Sequence, residues 1–179
     1  MKKTLLALAA TGLLAAPAFA ALAPGATAPD FSTEATMAGK AYPFKLSEEL
    51  KKGPVVLYFF PAAFTPGCTA EAHEFAEATD QYKALGATVV GVTAGNVDKL
   101  KEFSVSECRS KFAVAADPDT KIAKSYDSIL AIRPSLSDRT SYVITPNDKV
   151  LIAYTAMNPD KHVETTLDAL KAWRTTHPQ

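Results

Sequence analysis

The sequence predicts an α/β fold, a three-layer α/β/α sandwich with a mixed central sheet in one domain. Two uninterrupted runs of β-branched and aromatic residues, 54–60 and 87–93, are typical of strands buried on both faces. Helical spacing of apolar residues follows each run, and near the end of the chain two β-rich runs around a short polar turn predict a hairpin. Strands that alternate with helices favour parallel pairing, and the hairpin adds antiparallel strands.

The elements follow in the order β-α-β-α-β-α-β-β-α. The first helix, 69–85, has Ala72, Phe75 and Ala76 at helical spacing, and Gly86 ends it. The second helix, 96–108, follows strand 87–93 and is predicted to have Asn96 as its N-cap. The remaining elements are a strand at 112–118, a short helix at 119–127 capped by Asp119 or Thr120, the hairpin at 140–155 and a final helix at 160–176.

The chain ahead of the first buried strand is predicted to contribute little regular structure. Residues 21–32 are rich in Ala, Gly and Pro, which indicates an extended entry segment. Residues 41–50 alternate weakly, which predicts a short edge strand that leads into Ser47.

The first twenty residues have the order of a secretory signal peptide. Lys2 and Lys3 precede an apolar run that is too short to span a bilayer, and Ala18-Phe19-Ala20 provides a small-residue cleavage site. An uncleaved membrane anchor would need a longer run. We therefore expect cleavage after Ala20, a single domain over 21–179, and export, with the periplasm as the expected compartment.

The charge balance excludes several classes of partner. The chain has 19 basic and 19 acidic residues, and loss of Lys2 and Lys3 with the signal peptide leaves a net charge of −2. No basic patch favours nucleic acid, and no later run is long enough to cross a membrane. We expect neither nucleic-acid binding nor stable membrane association.

Two cysteines, Cys68 and Cys108, remain after the signal peptide. In an oxidising compartment they can form a structural disulfide, whose loop closure would contribute roughly 4 kcal/mol. A domain of this length does not depend on such a bond for its core, so a chemical role remains open.

Cys68 lies just after the carboxyl end of a buried strand, where the next helix begins. Unpaired N–H groups and the positive end of the helix dipole favour a thiolate there. Thr65 occupies the position at which a C-x-x-C motif would have its second cysteine. A hydroxyl cannot form a disulfide, so the pattern favours a lone nucleophile. Taken by itself, Thr65 also fits a turn or a helix cap.

Pro61, Thr65 and Cys68 form the pattern P-x-x-x-T-x-x-C after the buried strand. In this context the pattern resembles the active-site motif of the peroxiredoxins, and FFPAAFTPGCTAEAHEF is similar to the bacterioferritin-comigratory (PrxQ-type) branch. The resemblance extends over VVGVTAGNVDKLKEF, AADPDTKIAKSYD and DRTSYVITPNDKV, in the expected order. It implies a thioredoxin-like fold.

The resemblance also implies a role for each matching residue. Cys68 corresponds to the peroxidatic cysteine, Thr65 to the threonine that hydrogen-bonds thiolate and peroxide, and Pro61 to the proline that shields the pocket. Arg139 corresponds to the active-site arginine, whose charge would favour the thiolate and stabilise the departing oxygen. Glu71, one helical turn after Cys68, either holds that arginine or is an exposed helix carboxylate.

The implied activity is thiol-dependent reduction of hydrogen peroxide and organic hydroperoxides, with no cofactor and no metal. The implied reductant is a thioredoxin-like or glutaredoxin-like protein, and the expected state is a monomer or dimer. An alternative of a different class is a non-catalytic exported binding or folding module of thioredoxin fold with a permanent Cys68–Cys108 disulfide.

The sequence departs from the branch at one position. Many members have a second cysteine five residues after the first, and here that residue is His73. A metal site of Cys68 and His73 would need further ligands that the spacing does not supply. The resolving role therefore falls to Cys108, at a polar helix end where exposure is expected, or to another molecule; the branch's resolving position aligns with Ser104. An inert Cys108 is the alternative.

Overall fold

The computed structural model of the protein describes residues 21–178, so the predicted signal peptide lies outside the described residues. Its strands are β1 (Ser32–Met37), β2 (Lys40–Lys45), β3 (Val55–Phe59), β4 (Thr88–Thr93), β5 (Ala113–Ala116), β6 (Thr140–Ile144) and β7 (Val150–Thr155). Its α-helices are α1 (Leu46–Leu50), α2 (Pro66–Ala84), α3 (Leu100–Ser106), α4 (Lys121–Ser125) and α5 (His162–Arg174), with 3-10 turns at Val97–Lys99 and Pro159–Lys161. Across this range, no helix is both long and apolar enough to span a bilayer.

Within the described range, the strands form one seven-stranded sheet in the order β2-β1-β5-β4-β3-β6-β7. Strand β3 pairs with β4 in parallel, as β4 does with β5. The pairs β3–β6, β6–β7, β1–β2 and β1–β5 are antiparallel. The predicted mixed α/β architecture is confirmed, and β3, which leads into the Cys68 loop, lies inside the sheet.

Strand β3 is apolar on both faces because both faces of the sheet are covered. Val56 and Tyr58 pack into the cluster that contains α2, α3 and Cys68. Val55 and Leu57 point into the opposite cluster, against α1 and α4. This double coverage explains the run without alternation at 54–60.

The structure adds two elements near the start of the domain that the sequence did not predict. Strand β1 is largely polar, and the sheet holds it because it pairs along its whole length with β2 and at Ala35 and Thr36 with β5. The predicted edge strand at 41–50 is divided in two: β2 is the sheet edge, and α1 follows, burying Leu46 and Leu50 one turn apart.

Asn96 and Thr120 occupy the predicted N-cap positions, before the 3-10 turn at Val97–Lys99 and before α4, but neither side chain caps its helix. Asn96 adopts the left-handed conformation (φ 55°), and its side-chain amide donates to the carbonyl of Ala63 instead of capping a helix. Helix α4 is capped from further upstream, because the Asp117 carboxylate accepts from the amides of Ile122 (3.1 Å) and Ala123 (2.8 Å). Thr120, like Asn96, has a positive φ.

Candidate active site

Cys68 lies in the first turn of α2, which begins at Pro66, three residues earlier than predicted. Proline suits this position because the first amide of a helix lacks an intrahelical acceptor in any case. The Cys68 side chain is 1% exposed. The amides of the first turn and the positive end of a 19-residue helix therefore favour negative charge on the sulfur.

The loop between β3 and α2 is fixed by hydrogen bonds to its carbonyl groups. Ser137 Oγ donates to Phe60 O (2.7 Å), and Thr93 Oγ1 donates to Pro61 O (3.1 Å). The side-chain amide of Asn96 donates to Ala63 O (2.7 Å). These donors come from two other parts of the chain, residues 93–96 and Ser137, so nothing in the local sequence signalled them. They hold the half-buried Pro61 at the entrance to the Cys68 turn.

Thr65 is the N-cap residue of α2 by backbone position. Its hydroxyl donates to Ala62 O at 3.0 Å, and among the described residues no hydrogen bond joins it to Cys68. A hydroxyl that donates in this way keeps its lone pairs free to accept a hydrogen bond from a bound molecule. Thr65 therefore lies in the turn with its hydroxyl oxygen available to accept a further hydrogen bond.

Arg139 lies at the start of β6 and reaches across to Cys68. Its NH2 group is 3.5 Å from Cys68 Sγ, and its NH1 group forms a buried ion pair with Glu71 Oε2. The Nε atom donates to Met157 O at 2.9 Å, so the guanidinium is held from two sides. Gly67 permits this approach, since a Cβ there would lie 3.1 Å from the Arg139 NH2 atom. Glu71 is fully buried and is not an exposed helix carboxylate.

The electrostatics of this cluster favour an anion at Cys68. Burial opposes charge on Arg139, but the adjacent Glu71 and Cys68 outweigh it and raise the pKa of Arg139. Burial raises the pKa of Glu71 to about 8, against the lowering effect of Arg139. Because burial weakens the hold of Glu71 on its negative charge, the carboxylate competes less strongly with the Cys68 sulfur for the guanidinium.

His162, the first residue of α5, lies behind Glu71 and is fully buried. Its Nδ1 atom is 2.8 Å from Ser141 Oγ and 3.6 Å from Glu71 Oε1, and Nε2 is 2.9 Å from Ala156 O. Burial lowers the pKa of His162 to about 4, and the charge of Arg139 adds to this effect. The ring is therefore neutral at neutral pH.

We expect His162 to make folding less favourable in acid. The unfolded chain binds a proton at the ordinary pKa of 6.5 and the folded chain only near 4, so stability present above pH 6.5 is lost as the pH falls toward 4. The loss is on the order of 3 kcal/mol. Urea unfolding at pH 7.5 and 4.5 measures it, and His162→Gln, which cannot titrate, should lose that much less.

The neighbours of His162 make this comparison necessary. Glu71, with its raised pKa, contributes stability that is present below its unfolded value of 4.5 and lost as the pH rises through about 8, which is the opposite trend. Glu71 and Arg139 are present in both proteins, so the difference between the two profiles reports on His162. Parallel profiles would show that His162 does not titrate in this way.

Residues 24–153 match the AhpC/TSA family. The chain belongs to this family. It is 32% identical over 155 residues to peroxiredoxin Q of Sedum lineare, covering 86% of this chain and 81% of that protein. Against peroxiredoxin Q of Gentiana triflora the identity is 32%, covering 69% of this chain and 57% of that longer protein. The crystal structure of peroxidoxin BcpB from Mycobacterium tuberculosis matches with a TM-score of 0.76 at 30% identity, covering 84% of this chain and 97% of that one.

These likenesses confirm the resemblance to the PrxQ-type peroxiredoxins and the thioredoxin-like fold. The chain is thus a thiol-dependent peroxidase, an oxidoreductase. Peroxiredoxins as a family take peroxides as substrates and thioredoxin-type proteins as reductants. The non-catalytic module that the sequence left open is set aside.

Cys108 in this peroxiredoxin is fully buried, although its polar sequence neighbours favoured exposure. It lies just beyond α3, in the same apolar cluster as Cys68, and both thiols are free. Burial raises the pKa of Cys108 well above its ordinary value, with a smaller contribution from Glu107. Ser104, where the branch's resolving cysteine aligns, is buried too.

The segment that contains Cys108 is attached to α2 by one ion pair and by one contact between a histidine and a carboxylate. His73 Nε2 is 2.8 Å from Glu107 Oε2, and Arg109 NH1 is 3.0 Å from Glu77 Oε1. Arg109 and the next residue both have positive φ (49° and 56°), a conformation that strains residues other than glycine. We name residues 107–110 the Cys108 segment. It is strained and held in place by side chains that flank the thiol.

Proposed function

We propose that this peroxiredoxin reduces hydrogen peroxide and organic hydroperoxides through the thiolate of Cys68. The observation that carries the proposal is the Arg139 guanidinium at 3.5 Å from Cys68 Sγ, held by Glu71 and by the Met157 carbonyl. A fixed cation beside a sulfur in a helix N-terminal turn favours the thiolate, and it lies where negative charge develops on the departing oxygen.

The sulfur attacks the distal oxygen of the peroxide, forming an S–O bond as the O–O bond breaks. The electron pair of the O–O bond goes to the leaving oxygen, which takes a proton and departs as water or an alcohol. Cys68 is then a sulfenic acid, oxidised by two electrons. Arg139 stabilises the leaving oxyanion, and the Thr65 hydroxyl oxygen accepts a hydrogen bond from the peroxide O–H.

The buried position of Cys68 favours small or slender peroxides. The thiol is almost inaccessible and lies behind the half-buried Pro61, which excludes bulk water from the sulfur. Exclusion of water strengthens the electrostatic effect of Arg139 on a bound peroxide. No metal or cofactor is part of the proposed reaction.

The test is rapid-mixing oxidation of the reduced protein by hydrogen peroxide and by tert-butyl hydroperoxide. We expect one equivalent of either peroxide to be consumed, hydrogen peroxide faster than the branched tert-butyl hydroperoxide, and Cys68 to be trapped as sulfenic acid by a dimedone label. Consumption at the rate of free cysteine, or labelling elsewhere in the chain, would contradict the proposal.

We further propose that Cys108 resolves the sulfenic acid. The Cys108 thiol displaces the hydroxyl of the Cys68 sulfenic acid, which leaves as water, and a thioredoxin-like or glutaredoxin-like protein reduces the disulfide. Both cysteines lie in one apolar cluster, which supports the pairing. Because Cys108 is buried and held as a neutral thiol, the Cys108 segment must open before the bond forms.

We expect Cys108→Ser to consume one equivalent of peroxide and then stall with a thioredoxin-type donor. Its Cys68 sulfenic acid should persist and proceed to sulfinic acid in excess peroxide. Mass spectrometry of the wild type after one equivalent should show a 68–108 link. Hydrogen exchange at residues 64–72 and 102–112 should be faster in that oxidised form than in the reduced one. Normal turnover of Cys108→Ser together with absence of the link would assign resolution to an external thiol.

We also propose that residues 1–20 direct export and are removed after Ala20, leaving the single domain 21–179. The charged, apolar and small-residue order of this segment supports the proposal. The plant relatives are named as chloroplastic proteins, so their compartment does not decide the one used here. N-terminal sequencing of protein from a periplasmic fraction tests it, and a mature protein that keeps Met1 would contradict it. The proposed solution state is a monomer or dimer.

A further inference from the structure

His162 is a buried, polar side chain to which the reaction described above gives no role. It lies at the first position of α5, with its ring edge-on to Tyr154 at 4.8 Å between centroids. Burying an imidazole lowers the stability of the fold unless its ring nitrogens form hydrogen bonds. Both nitrogens are paired, and both lead to groups that hold Arg139.

The Nε2 side leads to the Met157 carbonyl. A carbonyl oxygen only accepts, so the 2.9 Å contact with Ala156 O requires that Nε2 carry the proton. The Ala156 amide in turn donates to Arg139 O at 3.1 Å, and the next residue, Met157, accepts from Arg139 Nε. His162 therefore fixes the Ala156–Met157 peptide, and the Met157 carbonyl that orients the Arg139 guanidinium follows directly after that peptide.

The Nδ1 side faces Glu71. With the proton on Nε2, Nδ1 is an acceptor and takes the hydrogen of the Ser141 hydroxyl. Glu71 Oε1 lies 3.6 Å from Nδ1 and, in the described structure, has no hydrogen-bond partner although it is fully buried. A lone pair on Nδ1 repels an anionic Oε1 and tolerates a protonated one, which agrees with the raised pKa of Glu71.

We infer that His162 is a positioning residue of the peroxidase site, acting through Glu71 and through the Ala156–Met157 peptide to hold Arg139 against Cys68. The inference rests on the proposed function of Cys68. It assigns to His162 control over how strongly the guanidinium favours the thiolate, in addition to the packing that any buried ring supplies.

The test uses variants that separate the two nitrogens in a Cys108→Ser background, in which Cys68 is the only thiol. In His162→Leu both contacts are lost. In His162→Gln the side-chain amide reaches the position of Nε2 and can donate to Ala156 O, whereas His162→Asn places its amide near Nδ1 only. His177→Leu is the matched control, because His177 is exposed and stacks on Trp173 at the chain end.

The first readout is the pH profile of Cys68 alkylation by iodoacetamide, and the second is the rate of oxidation by hydrogen peroxide. We expect His162→Leu to shift the alkylation midpoint upward by about one pH unit. We expect peroxide oxidation to slow about tenfold or more, because the guanidinium is misplaced. His162→Gln should recover most of both losses. His162→Asn should behave like His162→Leu, and the control His177→Leu should match the wild type in both readouts.

A structural role alone predicts lower melting temperatures with unchanged profile and rate, and that result overturns the inference. If His162→Leu does not fold, the pair His162→Gln and His162→Asn decides, and equal values for both also overturn it. The alkylation profile needs no peroxide. It therefore tests His162 even if Cys68 proves not to be the peroxide-reducing group, an outcome that the peroxide-consumption experiment reports separately.

Discussion

Cys68→Ser is expected to abolish peroxide reduction while leaving the fold intact. Serine has nearly the volume of cysteine, so the apolar cluster around α2 should remain packed. A serine hydroxyl is un-ionised at neutral pH, so the arrangement of Arg139 and the helix N-terminus has no anion to stabilise. We expect the peroxidase rate to fall to the level of the buffer.

The measurements are consumption of the first equivalent of peroxide without a donor and turnover with a thioredoxin-type donor, with circular dichroism and thermal melting to verify the fold. Cys108→Ser is the matched control, since it also loses one thiol from the same cluster but keeps the first equivalent of peroxide consumption. Appreciable turnover by folded Cys68→Ser would falsify the assignment of the peroxidatic residue.

Arg139→Ala should slow the attack on peroxide by about 100-fold or more, the range found when a single oxyanion-stabilising donor is removed. Loss of the cation should also move the alkylation midpoint of Cys68 to higher pH. Glu71 would lose its ion pair while remaining buried. The cost to stability should nevertheless stay below the 3–5 kcal/mol typical of a broken buried pair, because the raised pKa of Glu71 lets it take a proton.

Rapid-mixing oxidation, the alkylation profile and urea unfolding measure these three effects. Arg133→Ala removes the same charge from an exposed loop residue and so controls for the net charge of the protein. If Arg139→Ala is oxidised at the wild-type rate while the control behaves alike, the guanidinium does not act on the reacting atoms.

The elements that the sequence predicted correctly are those whose pattern is local. Strand β3 is a run of apolar residues that only a sheet covered on both faces can bury, and the hairpin β6–β7 has a turn between two β-rich runs. Strand β1 was missed because its stability comes from its neighbours β2 and β5, not from its own composition. The N-cap positions of Asn96 and Thr120 were predicted, but not their missing caps, because Asn96 donates to Ala63 O and Asp117 accepts from the first amides of α4.

The candidate site divides in the same way. The spacing of Thr65 and Cys68 is a local pattern, and the resemblance it carries led to Arg139. His162 could not be found from sequence, because its function depends on a contact with Glu71 that joins α5 to α2. The burial of Cys108 could not be predicted either. The residues beside it are polar, which favours exposure, but Glu107 and Arg109 contact side chains of α2.

The ion pair beside Cys108 should give the two halves of the proposed catalytic cycle different sensitivities to ionic strength. The Arg109–Glu77 pair lies at the surface, where dissolved ions screen charges over about 8 Å at physiological salt. The Arg139–Glu71 pair is buried and is screened far less. Added salt should therefore loosen the Cys108 segment and speed disulfide formation without changing peroxide attack. The fraction of Cys68 lost to over-oxidation then becomes a property of the surrounding medium as well as of the peroxide dose.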